Sequence, residues 1–169
     1  MSRRYFVPDV PQTSSLESGL AALKCVLDGY NISVSQRRLT EILQPALQVT
    51  TLERLAEVAA QLGLTAELVT APIDHWLLDD DNLPAIVLAR RLDSSPYNRF
   101  LVVWRKHGPF LQVMDPATGL RWLHQQRLLD EVEIRTRAIS AQNWRDGATP
   151  SGFVRTLRQR LLDLKLAPV

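Results

Sequence analysis

The chain has 169 residues, 46% hydrophobic and 22% charged, a balance that suits one packed domain and excludes a disordered chain. Twenty Lys and Arg stand against eighteen Asp and Glu, so the net charge of +2 gives no electrostatic case for nucleic acid. The single cysteine, Cys25, excludes an internal disulfide framework and a cysteine-rich zinc site. No apolar run approaches a membrane span, and the opening Met-Ser-Arg-Arg-Tyr-Phe lacks the long apolar core of a signal peptide. The expectation is a soluble, cytoplasmic domain.

Residues 1–14 carry Pro8 and Pro11 and read as an extended lead-in. A helix follows from about Ser15. Leu16, Leu20, Leu23 and Leu27 recur at helical spacing, Ser14 or Ser15 is the expected N-cap, and Gly29 is the terminator. A second helix starts at Ser33 or Ser35 and runs to Leu43, stopped by Pro45. Thr50 or Thr51 caps a third, with Leu52, Leu55, Val58, Ala59 and Leu62 as its apolar stripe and Gly63 at its end.

The period then changes. Residues 65–70 read as a strand and 72–78 as a short helix or turn. Four further strands are expected at 84–89, 99–104, 110–114 and 120–124, joined by short Pro- and Gly-containing connections that make neighbours antiparallel. Ile86–Leu88 and Leu101–Val103 are apolar without alternation, as in central strands covered on both faces. Helices first and strands second is an α+β pattern. Beyond Ser140 a polar, turn-rich stretch leads to an amphipathic helix at 153–166, striped by Phe153, Leu157, Leu161 and Leu164. The division expected is therefore a domain over 1–140 and a linker plus helix over 141–169.

Several pieces recur in a telling order. They are Val7-Pro8, Gln12, then Ser18-Gly19 six positions on, Ala21-Ala22-Leu23-Lys24, and Thr50-Thr51-Leu52 ahead of a helix ending at Leu64. Pro84-Ala85-Ile86-Val87, Arg99-Phe100-Leu101-Val102-Val103-Trp104 and Asp115-Pro116-Ala117-Thr118-Gly119-Leu120-Arg121-Trp122 complete the set. As an ordered series they resemble the bacteriocin-processing cysteine peptidases (peptidase family C39), the papain-like domain at the N-terminus of peptide-exporting ABC transporters. The resemblance implies a papain-like cysteine peptidase fold with N-terminal helices packed on an antiparallel sheet.

It also implies a site. The family uses a thiolate at the start of the first helix, a histidine base at the start of a central strand, an aspartate that orients it, and a glutamine for the oxyanion. Gln12 stands at the glutamine position and Asp115 at the aspartate position. Ser18 occupies the nucleophile position and Arg99 the base position. A guanidinium is always protonated and cannot act as a base. A helix dipole contributes only about 0.3–1 kcal/mol, too little to ionise a serine hydroxyl. None of His75, His107 and His124 matches the base position. Arg99 and Asp115 are instead expected to form a bidentate ion pair that fills the catalytic slot.

The other candidates have plainer readings. Cys25, amid Leu23, Val26 and Leu27, is a core residue. The run Asp79-Asp80-Asp81 lacks calcium-loop spacing and reads as a solvated turn, so no metal or other cofactor is expected. The resemblance implies a catalytically degenerate domain that binds a leader or unfolded cargo peptide, with Tyr97, Trp104 and Trp122 as aromatic contacts. Its other partner would be the transmembrane and ATPase module of an ABC exporter, at the inner face of the bacterial inner membrane. A residual hydrolase using Ser18 with an unidentified base, and a docking domain contacting a membrane partner through the helix from Phe153, are the alternatives.

Overall fold

The computed structural model of the chain describes residues 7–12, 17–43, 50–70, 77, 82–90, 98–133, 142, 158 and 161. The chain divides into two compact units, one formed by Met1–Thr70 with Leu83–Glu133, the other by Ala71–Asn82 with Ile134–Val169. Of the second unit only Leu77, Asn82, Gln142, Arg158 and Leu161 are described. The turn expected at 72–78 and the helix expected at 153–166 thus fall almost wholly outside the described residues, as do Tyr97, His75 and the acidic run at 79–81.

The first unit is α+β. Three helices, α1 (Ser18–Gly29), α2 (Gln36–Leu43) and α3 (Leu52–Gln61), precede β1 (Ala85–Ala89), β2 (Arg99–His107), β3 (Phe110–Asp115), β4 (Gly119–His124) and a last helix α4 (Gln125–Glu131). The strands form one antiparallel sheet in the order β1-β2-β3-β4. Short connections dictate this order, because a hairpin can only return beside the strand it leaves. β2 lies inside the sheet, and its first six residues are all buried, as the unbroken apolar run predicts.

α1 is buried on nearly every side. Only Lys24 and Asp28 escape, and they pair with each other at 2.7 Å. The helix runs along β2 in the same direction, with Gly19 against Phe100 and Gly29 against Trp104. Ten helical residues rise roughly 15 Å and four strand residues roughly 13 Å, so the two glycines keep step with Phe100 and Trp104. Gly29 is therefore a point of close approach inside the helix rather than a terminator beyond it. A Cβ there would fall within the Trp104 indole. Trp104 is 2% exposed and belongs to the core, which removes it from the expected peptide contacts. The reason is its face: Phe100, Val102 and Trp104 alternate inward toward α1.

Local chemistry accounts for the helix starts. Thr51 caps α3 by accepting from the Arg54 amide at 3.3 Å. Ser35 accepts from the Arg38 amide ahead of α2. The cap expected for α1 at Ser14 or Ser15 is not found; Glu17 holds that position without a side-chain cap bond, and 13–16 lie outside the described residues. Residues 65–70 form no strand. Leu68 and Val69 are exposed, and β-forming composition does not make a strand without a neighbouring edge to pair with. α4 was not legible from spacing. It is capped by His124, whose Nδ1 accepts from the Gln126 amide, and its end is tied back to β1 through Arg90 N to Glu131 O at 2.7 Å and Glu133 N to Leu88 O at 2.9 Å.

Candidate functional site

The start of β2 and the end of β3 meet where α1 begins. Ladder pairing between these strands starts only at Val102–Met114, so the Phe100 amide needs another acceptor. Ser18 supplies it: Oγ accepts from Phe100 N at 2.9 Å, and Ser18 is 2% exposed. The residue at the expected nucleophile position thus touches the backbone immediately after Arg99. Gln12 is tied to the same corner, its amide donating to Pro116 O at 2.8 Å beside Asp115. The four residues read from the sequence as a cleft converge at one end of the sheet.

Arg99 and Asp115 do form an ion pair. Arg99 Nη2 lies 2.6 Å from Asp115 Oδ2, with the aspartate fully buried. The contact is single rather than bidentate, because Asp115 Oδ1 is taken by the Ala117 amide at 2.9 Å in an Asx turn. Oδ2 accepts further from Thr118 Oγ1 at 2.8 Å and from Arg121 Nη2 at 3.3 Å. Arg99 reaches on to Arg90 O and Glu131 Oε2, both at 3.4 Å. Arg121 and Glu131 close the group at 2.7 Å.

Sequence reasoning missed Arg121 and Glu131. The signal for Arg121 was present in the hairpin: Asp115 pairs with Gly119, whose φ of 86° suits the turn, so Arg121 opposite Val113 shares the face of Asp115. Glu131 sits on a helix that no periodicity announced. Trp122 is 51% exposed on β4, with the Arg105 guanidinium 6.0 Å from its ring centre. His107 and His124 are exposed, and His124 is occupied as the α4 cap. Among the described residues no group of His, Cys, Asp and Glu is placed to hold a metal ion, and no helix is long and apolar enough to cross a membrane.

Cys25 offers no substitute nucleophile. It is buried between Pro8, whose carbonyl accepts from Sγ at 3.2 Å, and Trp104, whose Nε1 donates to Sγ at 3.3 Å. Burial pushes its thiol up to about 12, against the weaker opposing pull of the Trp104 hydrogen bond. The thiolate is the reactive form, so Cys25 should resist a thiol reagent in the folded chain and react fully in denaturant. The unfolded thiol ionises near 9.0 and the folded one near 12, so the unfolded chain binds fewer protons between them. Stability should therefore fall as pH rises from about 9 toward 12. A Cys25→Ala variant followed by alkaline denaturation should show a shallower decline; an unchanged slope would assign it to other groups.

Strands and helices in this order, with a helix start held against the head of a central strand, make a papain-like fold. The chain belongs to the Peptidase C39 family, whose model matches residues 7–150. It is 23% identical over 108 residues to the Lactococcin-G-processing and transport ATP-binding protein LagD of Lactococcus lactis subsp. lactis. That alignment covers 64% of this chain and 15% of LagD, so the chain spans a small part of the exporter's length. Two solved structures share the fold. One is a double glycine motif protease from an AMS/PCAT transporter in complex with the leader peptide (TM-score 0.66, 21% identity, covering 76% of this chain and 87% of that one). The other is the peptidase domain of Streptococcus ComA, a bi-functional ABC transporter of a quorum-sensing pathway (TM-score 0.62, 23% identity, covering 75% and 93%).

Proposed function

We propose that this domain serves a peptide exporter by binding an extended leader or unfolded cargo peptide without cutting it. One observation carries the reading: Arg99, which the resemblance puts at the base position, is spent on Asp115 at 2.6 Å, in a slot only 10% open at the arginine side chain. A permanently protonated group there can neither take a proton from Ser18 nor release one to a leaving amine. Ser18 Oγ, accepting from Phe100 N, faces backbone rather than a base. The family and the curated relative support a role beside an ABC module, with the domain on the cytoplasmic side of the membrane. Gln12, Ser18, Arg99 and Asp115 mark the vestigial cleft. Exposed Trp122 is the aromatic contact for cargo, and Tyr97 remains a candidate.

The test uses a fluorescent synthetic peptide in which a double-glycine leader sequence is followed by several cargo residues. Fluorescence anisotropy should show saturable binding, and mass spectrometry should show the peptide intact after prolonged incubation. Trp122→Ala should weaken binding roughly tenfold, in line with an aromatic anchor. Cleavage after the glycine pair that disappears in Ser18→Ala would overturn the reading in favour of a serine hydrolase. An absence of any saturable binding would remove the receptor role.

A further inference from the structure

Asp115 accepts four donors: Arg99 Nη2, Thr118 Oγ1, the Ala117 amide and Arg121 Nη2. Each carboxylate oxygen offers about two lone-pair directions, so Oδ2, with three of these donors, is fully engaged, while Oδ1 takes the Ala117 amide alone. Arg121 comes from β4 and Glu131 from α4, and each guanidinium touches both carboxylates. The distances are 2.6 and 3.4 Å for Arg99 and 3.3 and 2.7 Å for Arg121, to Asp115 and Glu131 respectively. Two cations and two anions form a closed, charge-balanced ring across four elements, β2, β3, β4 and α4. Arg127, mostly exposed on α4, meets Glu131 only at its rim, 3.8 Å away.

We propose that Arg121 is a second positioning residue of this site, competing for Asp115 Oδ2 with whatever side chain stands at position 99. The proposal rests on the reading of Ser18 and Arg99 as the nucleophile and base positions, and it goes further. An imidazole placed at 99 would still face an aspartate engaged by Arg121, and Arg121 would be kept there by Glu131. Loss of catalysis is thus written twice, once in the missing pair and once in the surrounding ring. Restoring cysteine and histidine would not by itself restore an oriented imidazole.

The experiment compares two variants of the whole chain: Ser18→Cys with Arg99→His, and the same pair with Arg121→Met and Glu131→Gln, which removes one charge of each sign. Thiolate absorbance is followed against pH, with circular dichroism confirming the fold. Cys25 stays silent below pH 10 because its own thiol ionises only near 12. In the first variant the thiol midpoint should stay near that of a free cysteine, about 8.5, and in the second it should drop into the range of activated cysteines, about 3.5–7.5. Double-glycine leader cleavage should appear only in the second. A low midpoint already in the first variant overturns the role of Arg121 while leaving the site assignment standing. An unshifted midpoint in both overturns the assignment itself. In the natural chain, urea unfolding of Arg121→Met, Glu131→Gln and the double variant gives an independent reading. The double variant should lose less stability than the two singles summed, and strict additivity would contradict the ring.

Discussion

Asp115→Ala should destabilise the first unit by about 3–5 kcal/mol, the usual penalty for removing one partner from a buried ion pair. The loss exceeds that of an ordinary hydrogen bond because two guanidinium groups are left behind. Arg99 would keep only the longer contacts to Glu131 and Arg90 O, with its side chain 10% exposed. Its Nε, like that of Arg121, has no partner among the described residues to compensate. Asp115→Asn should cost less, since the amide oxygen still accepts while the charge is lost. The control is the exposed pair Arg37–Glu41, with side chains 90% and 56% exposed, where Glu41→Ala should change stability by no more than about 0.5 kcal/mol. Urea unfolding followed by tryptophan fluorescence measures all three. A loss below about 1 kcal/mol for Asp115→Ala would mean that water replaces the aspartate without difficulty.

Gly29→Ala should also be strongly unfavourable, against the usual trend. In a helix interior this substitution gains about 0.5–1 kcal/mol from backbone entropy. Here the new methyl would overlap the Trp104 ring, which is buried and fixed by its bond to Cys25. Overpacking of this kind costs about 1–3 kcal/mol, enough to reverse the sign. Trp104→Phe in the Gly29→Ala background should return part of the loss by shrinking the ring, although the same change alone is destabilising. Double-mutant analysis by thermal or urea unfolding reads the coupling, and additive effects would show that the helix shifts to avoid the clash.

How far the molecule could be read from its residues depended on whether the cause was local. Leu52, Leu55, Val58 and Ala59 announced α3 because a helix shows its buried face at fixed spacing. The pairing of Arg99 with Asp115 follows only from the resemblance to the family, and its single rather than bidentate form depends on the Asx turn at Asp115. Gly29 reads as a terminator because terminators and close-approach glycines look alike in one dimension, and only Trp104 in β2 distinguishes them. Trp104 reads as a candidate peptide contact for the same reason: which side of β2 it faces depends on α1, far away in sequence. Arg121 required the hairpin register, and Glu131 required a seven-residue helix whose capping histidine carries no unusual pattern. Residues 65–70 show the opposite error, a strand composition with no partner strand among the described residues.

The lead-in before α1 is fastened at both ends of its described stretch, Pro8 O to the Cys25 thiol and the Gln12 amide to Pro116 O. It spans from the middle of the buried helix to the turn that shapes the Asp115 corner, so it functions as a brace rather than a tail. Anyone grafting this domain onto another protein should therefore cut ahead of Val7, not at the first helix. A junction placed at Ser18 would discard Gln12 together with the two fastenings, and would disturb the core and the Asp115 corner in a single stroke.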